Sequence, residues 1–406
     1  METFNVWLPT KVVFGPGCVA RLPEAVSALG KKALLLTYGD GSMRSTGTLG
    51  RVVDLLEQAG ISVTVDEGVE PNPDSEYVDR MAQLARKDTY SFVIGLGGGS
   101  AIDAAKAVAI VSVNETTVME YLPGGKNPFM EGVKDALPIV AIPTTAGTGS
   151  EVTHIAVISD RRNHYKPGFV HPSLYPTVAI VDPELMLTAP KGVTASCGAD
   201  VLFHAMEGYL SRGANPYTDL IGQEAIRLTV ENLEKAYKDG SNLEARTNMA
   251  WACTLAGIPL DQANVVAIHA LGHGISGHTN AAHGKTMAAL GPAYLAYTYK
   301  ADPARYARVA EMLGEPTEGK SAMELAESSS EALRRFLARV DLDITASSLG
   351  VTEEMVPAIA REAFLILQPL MDCCLIELTE ADTEKFLRMS MYRIPILEVH
   401  PVTHAV

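Results

Sequence analysis

Up to about residue 183, short apolar runs alternate with stretches of helical spacing. KALLLTYG (32–39), ISVTVDEG (61–68), SFVIGLGGG (91–99), PIVAIPTT (138–145) and TVAIVDP (177–183) read as strands. The segments 46–59, 75–87 and 100–111 read as helices, the first stopped by Gly60. Continuous apolar strands separated by helices predict a mainly parallel sheet covered on both faces. After Pro190 the strand pattern stops, and 218–238, 249–256, 303–313 and 322–340 carry apolar residues at helical spacing. The expected fold is an α/β N-terminal domain followed by an all-α C-terminal domain. DPELMLTAPKG (182–192), with Pro183, Pro190 and Gly192 as breakers, places the boundary, giving units 1–188 and 189–406. The cleft between two such units is the default place for a small-molecule site. No internal repeat or low-complexity segment interrupts the chain.

Composition narrows the classes. A chain of 406 residues with 47% hydrophobic content can bury a large core, which excludes disorder. Lys plus Arg is 33 against 48 for Asp plus Glu, a net charge of −15 with no basic run to offset it. Such a chain repels a phosphate backbone, so no nucleic-acid partner is expected. METFNVWLPTK has neither the basic nor the apolar region of a signal peptide, and no apolar stretch is long enough to span a bilayer. The five cysteines, Cys18, Cys197, Cys253, Cys373 and Cys374, form no C-x-x-C pair, which fits a reducing compartment. The expectation is a soluble cytoplasmic protein, enzymatic in character, with no membrane partner.

Histidines are the first candidate chemistry. Four of the ten, His269, His273, His278 and His283, fall inside AIHALGHGISGHTNAAHG (267–284). Upstream, GADVLFHAMEG (198–208) sets Asp200 and His204 four apart on a predicted helix, hence on one face. His269 and His273 repeat that spacing, and the Gly/Ser/Asn-rich turn before His283 allows it to fold back. A lone histidine is usually a satisfied core or surface residue, but this density in glycine-punctuated apolar contexts favours a metal. Three imidazoles and a carboxylate suit a divalent ion such as Fe2+ or Zn2+. Spacing alone leaves open which candidates bind. His278 fits a solvated turn equally well, and His273 fits a proton-transfer role.

The second chemistry is phosphate binding. In GLGGGSAIDAAK (95–106) a buried strand runs into Gly97, Gly98, Gly99 and Ser100, and a helix follows. Glycines admit a pyrophosphate close to the backbone, and the helix N-terminus supplies amide donors and positive dipole. Ser100 stands where the usual G-x-G-x-x-G has its last glycine, so a plain tight turn competes with this reading. IPTTAGTGSEVT (142–153) adds small residues and hydroxyls after another strand. Two such loops in one doubly wound half favour a nucleotide.

Together these residues resemble the iron-containing (group III) alcohol dehydrogenase family, with its related metal-dependent aldehyde reductases. The resemblance runs through FGPG (14–17), EPNP (70–73), GGGSAID (97–103), PTTAGTGSEVT (143–153), AIVDPEL (179–185), GADVLFHAMEG (198–208) and HALGH…HG (269–284), in family order. It implies a dinucleotide-binding α/β domain, a helical metal-binding domain, and a homodimer. It implies Asp200, His204, His269 and His283 as metal ligands, with His273 as an added catalytic histidine near the nicotinamide. It implies Asn72, Gly98, Gly99, Ser100, Asp103, Thr144, Thr145 and Lys166 around the cofactor. By the same resemblance the turn after KALLLTYG meets the adenosine ribose, where Asp40 accepts from a 2′-hydroxyl and repels a 2′-phosphate. NAD(H) is therefore expected over NADP(H). Two bland features temper this: Asp often only stabilises a turn, and Arg44 offers a 2′-phosphate a positive partner. The chain departs from the family at DCCLIEL (372–378), which lacks the usual Asn-Pro-Arg motif.

The implied reaction is hydride transfer between NAD(H) and a short-chain aldehyde or primary alcohol. SDRRNHYKPGF (159–169), His154 and the altered 372–378 stretch suggest an anionic aldehyde such as sulfoacetaldehyde. Solvated charges are the commoner state for residues such as Arg161 and Arg162. A plain alcohol, propanediol or lactaldehyde is the alternative substrate. A metal-dependent hydrolase, a lyase of dehydroquinate synthase-like fold, and a non-catalytic metal or nucleotide binder are the rival classes.

Overall fold

The computed structural model describes residues 3–162 and 166–393. The chain forms two compact units: the residues up to Pro190 together with Gly240–Gly257, and Lys191–Asp239 together with the residues from Ile258 onward. The fold class expected from the hydrophobic pattern is the one observed, a parallel sheet with helices followed by an all-helical region.

In the first unit, β1 (Lys11–Phe14), β2 (Lys32–Tyr38), β3 (Ser62–Val69), β4 (Phe92–Gly97), β5 (Ile139–Pro143) and β8 (Val178–Val181) form a six-stranded sheet in the order β1-β8-β5-β4-β2-β3. Every pairing in it is parallel. A separate antiparallel pair joins β6 (Ile155–Val157) to β7 (Gly168–Val170). Five of the six sheet strands match the apolar runs. β1, β6 and β7 have no counterpart among the expected strands: β6 and β7 have only three residues each, and β1 is a partly exposed edge strand without the continuous apolar run of the inner ones.

Helices cover both faces of the sheet. The short α1 (Leu22–Val26), the turn α2 (Ser42–Ser45) and α3 (Thr48–Gln58) lie on one side. There Val26, Val52 and Leu56 pack on Leu35, Ile94 and Ile142. On the other side lie α4 (Ser75–Asp88) and α5 (Gly99–Asn114), where Val78, Met81, Val108 and Ile110 pack on Leu34, Leu36 and Val93. α5 is apolar nearly all round and is buried accordingly. The connection leaving β2 thus takes one face and the connection leaving the adjacent β4 takes the other. A crevice opens where such connections diverge, at the carboxyl ends of the strands. Asp40 follows β2 and Gly98 follows β4, so both stand beside that crevice.

The second unit begins with α6 (Lys191–Tyr209) and α7 (Pro216–Lys238). Asn215 caps α7 through the backbone of Tyr217 and Thr218. α8 (Leu243–Ala263) contributes its residues up to Gly257 to the first unit and the remainder to the second. Then follow α9 (Ala267–Thr279), α10 (His283–Thr298), α11 (Pro303–Met312), α12 (Ala322–Ala338), α13 (Val356–Ile366), α14 (Gln368–Met371) and α15 (Glu380–Met391). α10 is the central rod, packed against α6, α9, α12 and α15. Its Tyr294 and Tyr297 are among the largest fully buried side chains. No helix of the described residues is long and apolar enough to cross a membrane.

Candidate metal centre and nucleotide crevice

Three helices of the second unit bring four donors together. α6 presents Asp200 and His204 from successive turns of one face, α9 presents His269 from its first turn, and α10 presents His283 as its first residue. The Nε2 atoms of His204, His269 and His283 lie 3.7, 3.8 and 3.7 Å from Asp200 Oδ1. One ligand atom from each of the four residues falls within 4.8 Å of all the others. These separations are too long for hydrogen bonds. They suit the edges of a coordination shell around an ion held at about 2.0–2.3 Å.

The electrostatics ask for a cation. Asp200 Oδ1 and His269 Nε2 are buried with no hydrogen-bond partner, an arrangement costly to leave unmet. Burial would raise the Asp200 carboxyl, but His204, His283 and His269 hold it well below the usual carboxylate range. Burial would likewise lower His269, but Glu207 and Asp200 on either side push it up to about 9. The residues present therefore fit a divalent ion.

Glu207 lies one turn beyond His204 and is fully buried. Its Oε1 meets His269 Nδ1 at 2.6 Å, while Oε2 accepts from the backbone amides of Val266 and His269. One carboxylate thus holds the start of α9 and turns the His269 ring so that Nε2 faces Asp200. Burial raises the Glu207 carboxyl. This residue was missed in the motif reading, although GADVLFHAMEG places it on the Asp200–His204 face. Gly284 sets the approach of α10, since a Cβ there would fall 1.8 Å from Ser196 O.

The structure brings His273 beside this cluster, its ring centroid 4.9 Å from that of His283, but outside the group of four donors. His278 points elsewhere and pairs with Glu362 at 3.0 Å.

In the first unit, the phosphate-type loops converge on the N-terminus of α5. Gly98 is its N-cap residue, and the amide of Asn72 donates to Ser100 Oγ. Thr144 donates its amide to Gly97 O. A Cβ on Gly98 would stand 2.9 Å from Thr145 Oγ1, and one on Gly99 only 2.4 Å from Thr148 Cγ2. Side chains at these positions would force Thr145 and Thr148 to shift, so the glycines leave backbone open to the crevice, which fits a pyrophosphate on a sixteen-residue helix.

Asp103 stands behind the cradle, with Oδ1 accepting from Ser150 Oγ at 2.6 Å and Oδ2 from the Val157 amide at 3.2 Å. Burial raises its pKa against the pull of Lys106 and Lys166. The buried Lys106 donates to Thr153 O, Thr153 Oγ1 and Ile155 O and pins the far end of the 143–153 loop. Lys106 also escaped the motif reading, its one signal being a charge one turn beyond Asp103 in a largely apolar helix. At the turn after β2, Asp40 Oδ1 accepts from the Ser42 amide at 2.9 Å. Arg44 is paired with Glu67.

The features behind an anionic substrate are otherwise engaged. Arg161 pairs with Glu70 and Asp74 and Arg162 with Glu76, all around a shallow cavity of about 310 Å³ on the first unit. Residues 163–165 of that basic segment lie outside the described residues. His154 stacks on Tyr175 at 5.1 Å. Cys373 and Cys374 tie the 372–378 stretch back to the end of α6: Cys373 O accepts from the Arg212 amide, and Cys374 bridges to Ser211.

Comparison with known proteins places these features in context. A family model described as iron-containing alcohol dehydrogenase matches residues 9–183, and one for the C-terminal part of the same family matches 194–390. The chain is 38% identical over 364 residues to a 1,3-propanediol dehydrogenase of Citrobacter freundii, covering 89% of this chain and 92% of that one. It is 35% identical to the NAD-dependent methanol dehydrogenase of Bacillus methanolicus, covering 89% and 93%. The crystal structure of sulfoacetaldehyde reductase from Bifidobacterium kashiwanohense in complex with NAD+ superposes with a TM-score of 0.83 at 28% identity, covering 97% and 100%.

Proposed function

Because the chain belongs to the iron-containing alcohol dehydrogenase family and is an oxidoreductase, we propose that it moves a hydride between NAD(H) and a short, neutral primary alcohol or its aldehyde. The observation that carries this reading is the convergence of Asp200, His204, His269 and His283 on one point, with Asp200 Oδ1 buried and unmatched. When bound, the dinucleotide supplies or accepts the hydride and an Fe2+ or Zn2+ ion polarises the substrate oxygen.

The chain's own residues have separable tasks. Asp200, His204, His269 and His283 hold the ion, and Glu207 keeps His269 in the tautomer that offers Nε2. His273, against the His283 ring, moves the proton between substrate oxygen and solvent. Gly98, Gly99 and Ser100 at the N-terminus of α5 receive the pyrophosphate, with Asn72, Thr144 and Thr145 beside it and Asp103 and Lys166 behind. Asp40, anchored on the Ser42 amide, accepts from the ribose 2′-hydroxyl. The neutral substrate is favoured over sulfoacetaldehyde because Arg161 and Arg162 already face carboxylates and His154 is stacked on Tyr175.

NADH consumption by the metal-loaded protein, with propanal and with sulfoacetaldehyde, tests both levels. The expected result is a higher kcat/KM for propanal, with the ratio unmoved by Arg162→Ala. A clear preference for sulfoacetaldehyde would overturn the neutral substrate. No NADH consumption with any short aldehyde would overturn the reaction itself and reopen the lyase and binder readings.

A further inference from the structure

Three charged side chains meet at the turn after β2. Asp40 stands at its exposed tip. Arg44, on the single turn α2, directs Nε to both carboxylate oxygens of Glu67, at 2.8 and 2.9 Å, with Nη2 2.6 Å from Oε1. Glu67 comes from β3, which abuts the turn: Gly39 donates its amide to Val69 O, and a Cβ on Gly39 would lie 2.8 Å from Glu67 O. The Arg44 side chain is 67% exposed and that of Glu67 only 25%, so the carboxylate is the fixed partner and the guanidinium the one drawn in. With Asp40 and Glu67 negative and Arg44 positive, the turn has a net charge of −1.

We propose that Glu67 is a second determinant of dinucleotide choice: it occupies the Arg44 guanidinium that a 2′-phosphate would otherwise use. This rests on the reading that the ribose 2′ position meets Asp40. Refusal of NADPH then has two parts, a carboxylate at Asp40 that repels the phosphate and a cation at Arg44 that is already spoken for. Removing Asp40 alone leaves a neutral ion pair at the turn. Removing the Glu67 charge as well leaves a free guanidinium, the side chain best suited to a phosphate.

Calorimetric binding of NADH and NADPH to the metal-loaded parent, Asp40→Gly, Asp40→Gly/Glu67→Gln, and that double variant with Arg44→Ala tests the idea without turnover. The double variant is expected to bind NADPH on the order of tenfold more tightly than Asp40→Gly alone, the worth of a charged hydrogen bond. NADH affinity should stay level across that pair, and Arg44→Ala should cancel the gain. A purely structural role for Glu67 would move both dinucleotides together. Equal NADPH affinity in Asp40→Gly and the double variant would overturn the proposal while leaving Asp40 as discriminator. A parent that prefers NADPH, or an Asp40→Gly variant with an unchanged NADH-to-NADPH ratio, would remove the Asp40 reading and the proposal with it.

Discussion

The proposed metal centre and the proposed nucleotide crevice are built from different parts of the polypeptide. In the helical unit the proposed ligands are side-chain donors, one carboxylate and three imidazoles, delivered by three helices, with Asp200, His204 and His269 buried and His283 partly exposed. In the α/β unit the cradle is mostly backbone, shaped by glycines and small hydroxyl residues where the connections from β2 and β4 diverge. A side-chain site depends on which atoms are present, whereas a backbone site depends on what is left out. Substitutions should therefore fail abruptly in the first and by degrees in the second.

His269→Ala is the strongest way to break the comparison. Losing one of four donors should release the ion and lower turnover by at least on the order of 10²–10³. NADH binding, measured by calorimetry, should persist. Retention of full metal content would refute the ligand assignment, and joint loss of NADH binding would show that the two sites are not independent. Glu207→Gln comes next, because it leaves all four donors in place and disturbs only the carboxylate that orients His269. Metal affinity, read by competition with a chelator, should fall about 10–100-fold, with NADH binding unaffected. Unchanged affinity would mean that Glu207 serves only the start of α9.

Gly99→Ala should have the smallest effect. Its methyl group meets Thr148 Cγ2 at 2.4 Å and displaces the loop. Such overpacking should weaken NADH binding by roughly tenfold. Metal content should not change. A turnover loss as deep as that of His269→Ala would erase the distinction between the two kinds of site.

The same contrast explains what could be read from the chain. Helical spacing placed Asp200 with His204, and the dense cluster held His269 and His283, because side-chain chemistry is spelled by residue type. Choosing among the six candidates needed the family resemblance, since only the folded helices show His278 turned to Glu362 and His273 beside the four. The glycine loops were ambiguous because a tight turn and a phosphate cradle call for the same residues. The apolar runs marked β2, β3, β4, β5 and β8, while β1, a four-residue edge strand, is defined by pairing with β8 far along the chain. Glu207 and Lys106 were silent for a related reason. Each is a charge in a largely apolar helix whose partners lie dozens of residues away, Glu207 to His269 spanning 62 and Lys106 to Thr153 spanning 47.

The position of His283 has a consequence for how an ion would come and go. Its side chain is 19% exposed, against 5% for Asp200 and His204 and 3% for His269, and it is the first residue of α10. Helix ends open far more readily than whole domains. The lability of the centre would then be governed by the fraying of one helical turn rather than by global unfolding. Exchange of the native ion for a competitor would proceed in fully folded protein, at a rate indifferent to mild denaturant. The metal recovered with the protein would record its surroundings as much as its preference.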